Sequence, residues 1–124
     1  MKQLSCTVFP STEKTISVQE DVIYGGAHLY RLHLCNGFNN GKTEYVADSI
    51  EIPFVQKHDD GVIIPGLQSE QLVYVLLDRQ QKLNARFPSL QSEKMIEGLQ
   101  IFLDACKERV QDRMNRGVMG NLKK

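Results

Sequence analysis

The chain has 124 residues, 41% hydrophobic and 24% charged, a globular balance that leaves no case for a disordered polymer and room for one domain or two small lobes sharing a core. Fifteen Lys and Arg cancel fifteen Asp and Glu; a protein that coats DNA through its phosphates would carry a large basic excess, so DNA is not an expected partner. No stretch approaches the roughly 20 apolar residues that span a bilayer, which speaks against a membrane protein.

The first half has the period of strands. Leu4–Phe9 alternates and ends at Pro10, and Ser11–Gly26 can supply a further hairpin strand around Ile16 and Val18. His28–Leu34 puts Leu and Tyr on alternating faces, with Asn36-Gly37 as a stop. Asn36 to Thr43 reads as a loop. Its glycines would let backbone N–H groups approach a ligand, Asn39 and Asn40 would offer donors and acceptors, and Phe38 a stacking face; the alternative is a plain hairpin turn. Lys42–Gln56 reads as two strands or one bulged strand, with Pro53 at an edge or a bulge because it cannot donate a ladder hydrogen bond. Asp59-Asp60-Gly61 is a turn, and Val62–Ile64 a short strand stopped by Pro65-Gly66.

From Gln68 the period becomes helical. Leu72, Leu76, Leu83 and Phe87 form a stripe that Val73 and Leu77 widen, and Pro88 ends the helix at about Arg86. Ser89 or Ser92 can cap a second helix that runs to about Arg116, with Gly117 as its stop. At ~1.5 Å per residue this second helix is roughly 39 Å long, more than a small sheet needs for cover. The predicted fold is therefore α+β: residues 1–66 as a small antiparallel sheet, 67–117 as a long antiparallel two-helix hairpin, and 118–124 as a tail. A hairpin that outreaches its sheet leaves apolar surface to bury, and self-association is the economical way to bury it.

Catalytic groups are hard to find. His28 and His33 lie five apart on a strand and face opposite sides, so they cannot share a metal, and His58 reads as a solvated turn residue. Nucleophile elbows and phosphate-binding glycine loops are missing. Cys6, Cys35 and Cys106 are scattered and odd in number, the pattern of reduced cytoplasmic thiols serving as small buried hydrophobes. The expectation is a binding protein without catalytic residue, metal or cofactor.

The binding candidates are cationic. Arg109, Arg113 and Arg116 are spaced i, i+4, i+7 on the face that carries Met95, Leu99, Phe102 and Cys106. Arg116 is explained by the helix dipole, whereas charge on an apolar stripe at Arg109 and Arg113 points to phosphate oxygens held by paired guanidinium N–H groups. Arg86-Phe87 sets a cation beside a ring in the turn between the helices, at the opposite end of the hairpin. One subunit can hardly place both sets around one small ligand, so a pocket shared between subunits, or two sites, is expected.

Four runs taken together, Asn36–Gly41, Ile64–Leu72, Leu83–Ser89 and Asp112–Gly120, resemble the Thoeris anti-defence 1 family of phage and prophage proteins over about residues 27–124. The resemblance implies a sponge. Such proteins bind cyclic ADP-ribose isomers such as glycocyclic ADP-ribose, the messengers of a bacterial TIR-domain sensor, and sequester them uncleaved in the cytoplasm of the infected host. It further implies a hexamer assembled from dimers, with separate sites for cyclic oligonucleotides of CBASS defence. Carried over, Arg109 and Arg113 would hold phosphates, and Arg86 and Phe87 would contact base or phosphate. Ser92 stands at a position that is often Asn in similar sequences. The alternatives are an enzyme that degrades the messenger, or a phage structural or regulatory interaction module.

Overall fold

The computed structural model describes residues 1–5, 8, 15–21, 23 and 25–117. It is an α+β protein: a four-stranded antiparallel sheet near the N-terminus is followed by two helices. The chain divides into two compact units, residues 1–56 with 64–66, and residues 57–63 with 67–124.

In the first unit the sheet is built from β1 (Lys2–Gln3), β2 (Ile16–Val18), β3 (Leu29–Asn39) and β4 (Lys42–Pro53), in that spatial order. Each neighbouring pair is antiparallel, so alternation sorts the side chains by face. Val18, Tyr30 and Ile52 stand in one cross-strand row and Ile16, Leu32 and Ile50 in the next of the same face. Ser17, Arg31 and Glu51 form the row between them on the other face, where Arg31 and Glu51 are joined by a 2.9 Å ion pair. Tyr30 meets Phe54 edge to face with ring centroids 5.6 Å apart, and Val18 is the buried apolar residue of this face.

Two expectations are corrected here. Asn36-Gly37 does not stop the third strand: β3 runs on to Asn39, and the register shifts between His33 and Gly37 absorb the glycine as a bulge. The segment around Phe38, Asn39 and Asn40 is accordingly a tight hairpin and not a loop. Asn40 and Gly41 take the two positive φ angles, 51° and 76°, of a two-residue turn. β1 is Lys2–Gln3, and the Leu4 N–H donates to Ile16 O; of the strand expected at Leu4–Phe9, Cys6, Thr7 and Phe9 lie outside the described residues. Lys42–Pro53 is one strand. Pro53 is its last residue, and β4 is the sheet's edge, where a missing N–H costs no ladder bond.

Gly66 closes this unit. A Cβ there would stand 2.6 Å from the Val55 nitrogen and nearer still to the Phe54 backbone, so only glycine permits the approach. A separate two-stranded ribbon pairs β5 (Gln56–Lys57) with β6 (Ile63–Ile64) across the Asp59-Asp60-Gly61 turn. The Asp60 carboxylate accepts from the Val62 N–H at 2.9 Å and Gly61 has φ 87°. His58, expected in solvent, is half-buried with its Nε2 lacking a hydrogen-bond partner.

The second unit is dominated by α1 (Ser69–Arg86) and α2 (Leu90–Asn115). Gln71 Oε1 accepts from the Gln68 N–H at 2.8 Å at the start of α1, and Ser89 Oγ caps α2 by accepting from the Ser92 N–H at 3.0 Å. Gly117, φ 68°, ends α2 with its N–H on Met114 O. The helices run antiparallel, because Glu70 near the start of α1 touches Cys106 late in α2, while Asn84 near the end of α1 accepts from the Ser89 N–H. Leu77 and Leu103 are the buried residues of this contact.

Replacing Gly66 by Ala drives a methyl group into the Phe54–Val55 backbone and is expected to lower stability by about 2 kcal/mol, the usual cost of overpacking. Urea unfolding followed by circular dichroism measures it, and an unchanged midpoint would contradict the close approach.

Candidate cation-lined site on the helical hairpin

Pairing Glu70 with Cys106 fixes the relative height of the two helices. Since α1 begins at Ser69, roughly the last eight residues of α2 project beyond it, an overhang of about 12 Å at ~1.5 Å per residue. Arg109 and Arg113 lie on that overhang, the first exposed and the second half-buried. Among the described residues neither has a carboxylate within salt-bridge reach, whereas Arg116 holds Asp112 at 2.7 Å. The three arginines of the row are thus unequal: one is neutralised in its own helix, and two present charge with no acidic partner.

At the other end of the hairpin Phe87 is 68% exposed, with its N–H on Leu83 O. The Arg86 guanidinium lies 5.4 Å from the centre of that ring, a cation–π contact made between sequence neighbours. Pro88 cannot continue α1, and the turn is fastened by the Asn84–Ser89 bond at 3.2 Å. Ser92 is half-buried. It is engaged in capping α2, with its hydroxyl 2.9 Å from Ser89 Oγ. From the start of α2 to Arg109 is nineteen residues, about 29 Å of helix, so one protomer holds Arg86, Phe87 and Ser92 far from Arg109 and Arg113. Phe38, Asn39 and Asn40 belong to the sheet unit, at the tip of the β3–β4 hairpin, and are all exposed.

A shallow groove of about 410 Å³ between the helices escaped the sequence reasoning. Glu70, Tyr74, Asp104, Cys106, Lys107 and Val110 line it. No helical or strand period connects Glu70 with Cys106, 36 residues apart, so nothing local could have signalled their contact. The Cys106 thiol donates to Glu70 Oε1 at 3.7 Å. Partial burial, the Glu70 charge and that hydrogen bond push its pKa up, while nearby Arg109 pulls it down. Cys106 is therefore a protonated structural thiol. Cys35, expected to be buried, is exposed.

His28 Nδ1 lies 3.9 Å from Asp21 and the His33 ring stacks edge-on to Tyr45. Among the described residues no three His, Cys, Asp or Glu side chains gather as a metal ion would need. Among the same residues no helix is long and apolar enough to cross a membrane. The two ends of the hairpin thus offer separate groups: two arginines suited to phosphate oxygens at one end, and a cation beside an exposed aromatic ring at the other.

No protein-family model matches the chain, and no curated protein matches it either.

The opposing effects on Cys106 give a test. Glu70→Gln removes a charge that disfavours the thiolate and should speed alkylation of Cys106 by iodoacetamide a few-fold at pH 8; Arg109→Ala should slow it. Peptide-resolved mass spectrometry reads both rates, and equal rates in the two variants would contradict the contact.

Proposed function

We propose that the chain is a sponge: it binds and sequesters cyclic ADP-ribose isomers, glycocyclic ADP-ribose among them, without cleaving them, and so blocks Thoeris immunity in the cytoplasm of an infected bacterium. The observation that carries this reading is the pair of guanidinium groups, Arg109 and Arg113, one helical turn apart on the overhang of α2, with no carboxylate among the described residues within salt-bridge reach. Two adjacent guanidinium groups match the oxygens of a pyrophosphate, which such a messenger contains. Arg86 and Phe87 supply a further cation and a face on which adenine can stack.

The resemblance to the Thoeris anti-defence 1 family supports the same reading. It extends it to cyclic oligonucleotides of CBASS defence at a second site and to a homo-oligomer of dimers assembling to a hexamer. About 29 Å of helix between the two cationic ends supports a pocket completed by another subunit. Binding without turnover requires an enclosed, pre-formed pocket, and a subunit interface provides one without any nucleophile or general base.

Incubation with glycocyclic ADP-ribose, removal of free ligand and heat denaturation should release the messenger intact and in stoichiometric amount. Degraded messenger would make the protein an enzyme instead. Calorimetry on the double variant Arg109→Ala, Arg113→Ala should show affinity reduced at least about 100-fold with the helical circular dichroism unchanged, since each charged hydrogen bond contributes about 1.5–3 kcal/mol. Undiminished affinity would remove these residues from the site.

A further inference from the structure

The tip of the β3–β4 hairpin, with Phe38, Asn39, Asn40 and Gly41, takes no part in the cationic groups of the helices, and its composition has a chemistry of its own. An asparagine followed by glycine can cyclise on itself. The glycine nitrogen has no side chain to shield it and reaches the asparagine Cγ by closing a five-membered ring. The chain carries this dipeptide twice in one hairpin, as Asn36-Gly37 and Asn40-Gly41.

Both asparagines are exposed, so burial does not distinguish them. Backbone hydrogen bonding does. Asn39 and Lys42 close the two-residue turn, and from such a closing pair an antiparallel ladder alternates non-bonded and bonded pairs. Phe38 and Thr43 are then a non-bonded pair, and Gly37 and Glu44 a bonded one. Gly41 lies inside the turn. Among the described residues its N–H has no backbone acceptor, and nothing stands within 4 Å of where a Cβ would lie. One glycine nitrogen is held in the ladder and the other is free. Asn40 has φ 51°, and the attack requires it to leave that left-handed conformation. Opening the tip breaks only the Asn39–Lys42 pair, whereas freeing Gly37 requires the ladder to open as far as Glu44.

We propose that Asn40 is a self-modification site, converted to aspartate and isoaspartate while the ladder protects Asn36. The Gly41 nitrogen gives up its proton and bonds to Asn40 Cγ; the Cγ–Nδ2 bond breaks, and ammonia leaves with that proton. Water then opens the cyclic imide, its hydroxyl going to the carbonyl carbon and its proton to the nitrogen. Attack at Cγ gives aspartate. Attack at the main-chain carbonyl gives isoaspartate, whose backbone runs through Cβ and is one atom longer.

Either product puts a negative charge on a neutral position of the tip and replaces an amide that can donate with a carboxylate that only accepts. The longer backbone of isoaspartate no longer fits a two-residue turn, so the Asn39–Lys42 pair loosens. Phe38, 77% exposed beside that pair, loses its fixed position. A tip able to donate to an anion thus ages into one that repels it. None of this depends on the ligand of the helical unit.

Ageing the whole chain at mildly alkaline pH, beside a sample unfolded in urea, tests the assignment. Tandem mass spectrometry of the tryptic peptide spanning residues 32–42 reads each asparagine separately, and an isoaspartyl methyltransferase assay counts the longer-backbone product. In the folded protein Asn40 should lose ammonia at least about 5-fold faster than Asn36, because freeing Gly37 costs ladder hydrogen bonds that the tip does not have to give up. In urea, where the ladder is absent, the two rates should agree within about 2-fold. A folded chain in which Asn36 reacts as fast as Asn40 would overturn the proposal. So would an Asn40 that stays intact while the unfolded chain reacts, or the same preference persisting in urea.

Discussion

Everything in the helical unit follows from one constraint: two antiparallel helices can bury only the stripe along which they touch. In α1 and α2 that stripe ends in the buried Leu77 and Leu103. Fully burying a Leu- or Phe-sized side chain is worth about 1.5–3 kcal/mol, and Leu76, Met95, Ile101 and Phe102 each leave 44% or more of themselves exposed. The hairpin therefore carries much of its potential hydrophobic stabilisation on its outside. Caps at Gln68 and Ser89 and the Asn84–Ser89 fastening hold the helices in shape, but they contribute about 1 kcal/mol each and cannot replace buried surface.

The same constraint determines where charge can be used. Along most of its length α2 has α1 beside it. Over its last eight or so residues it has none, and there the row changes from apolar to cationic. A cation on a helix flank beside a packed partner would be neutralised or would snorkel into solvent. Beyond the end of α1, Arg109 is exposed and Arg113 half-buried, and neither guanidinium is taken up by a carboxylate among the described residues. The contrast with Arg116, tied to Asp112 one turn away, shows that acidic residues were close enough in sequence to quench the whole row and that the geometry spends them on one member only.

How far the fold was legible depended on the range of the interactions that determine each element. The helix ends were readable because Pro88, Ser89 and Gly117 act within one turn of themselves. The alternation over Lys42–Gln56 left one strand or two open, and a strand around Ile16 and Val18 was only one reading of Ser11–Gly26; pairing with β3 is what defines both β2 and β4. The third strand was cut short because Asn36-Gly37 has the composition of a turn; only pairing with Thr43 and Glu44 turns it into a bulge and moves the hairpin to Asn40-Gly41. Exposed Cys35 and half-buried His58 were misjudged for the same reason, since burial depends on residues distant in sequence. Of the candidate site, the unequal standing of the three arginines was foreseeable from i, i+4 spacing to Asp112, while the Glu70–Cys106 contact was not, being a product of how α1 and α2 register.

Gly98 shows how a cost without a local cause can be informative. A helix of 26 residues has every reason to avoid glycine at its centre, and the protomer offers no crowding to excuse it. Met95, Ile101 and Phe102 lie exposed on either side of it, so the bare backbone at Gly98 sits within the part of the hairpin's apolar surface that the contact between α1 and α2 leaves uncovered.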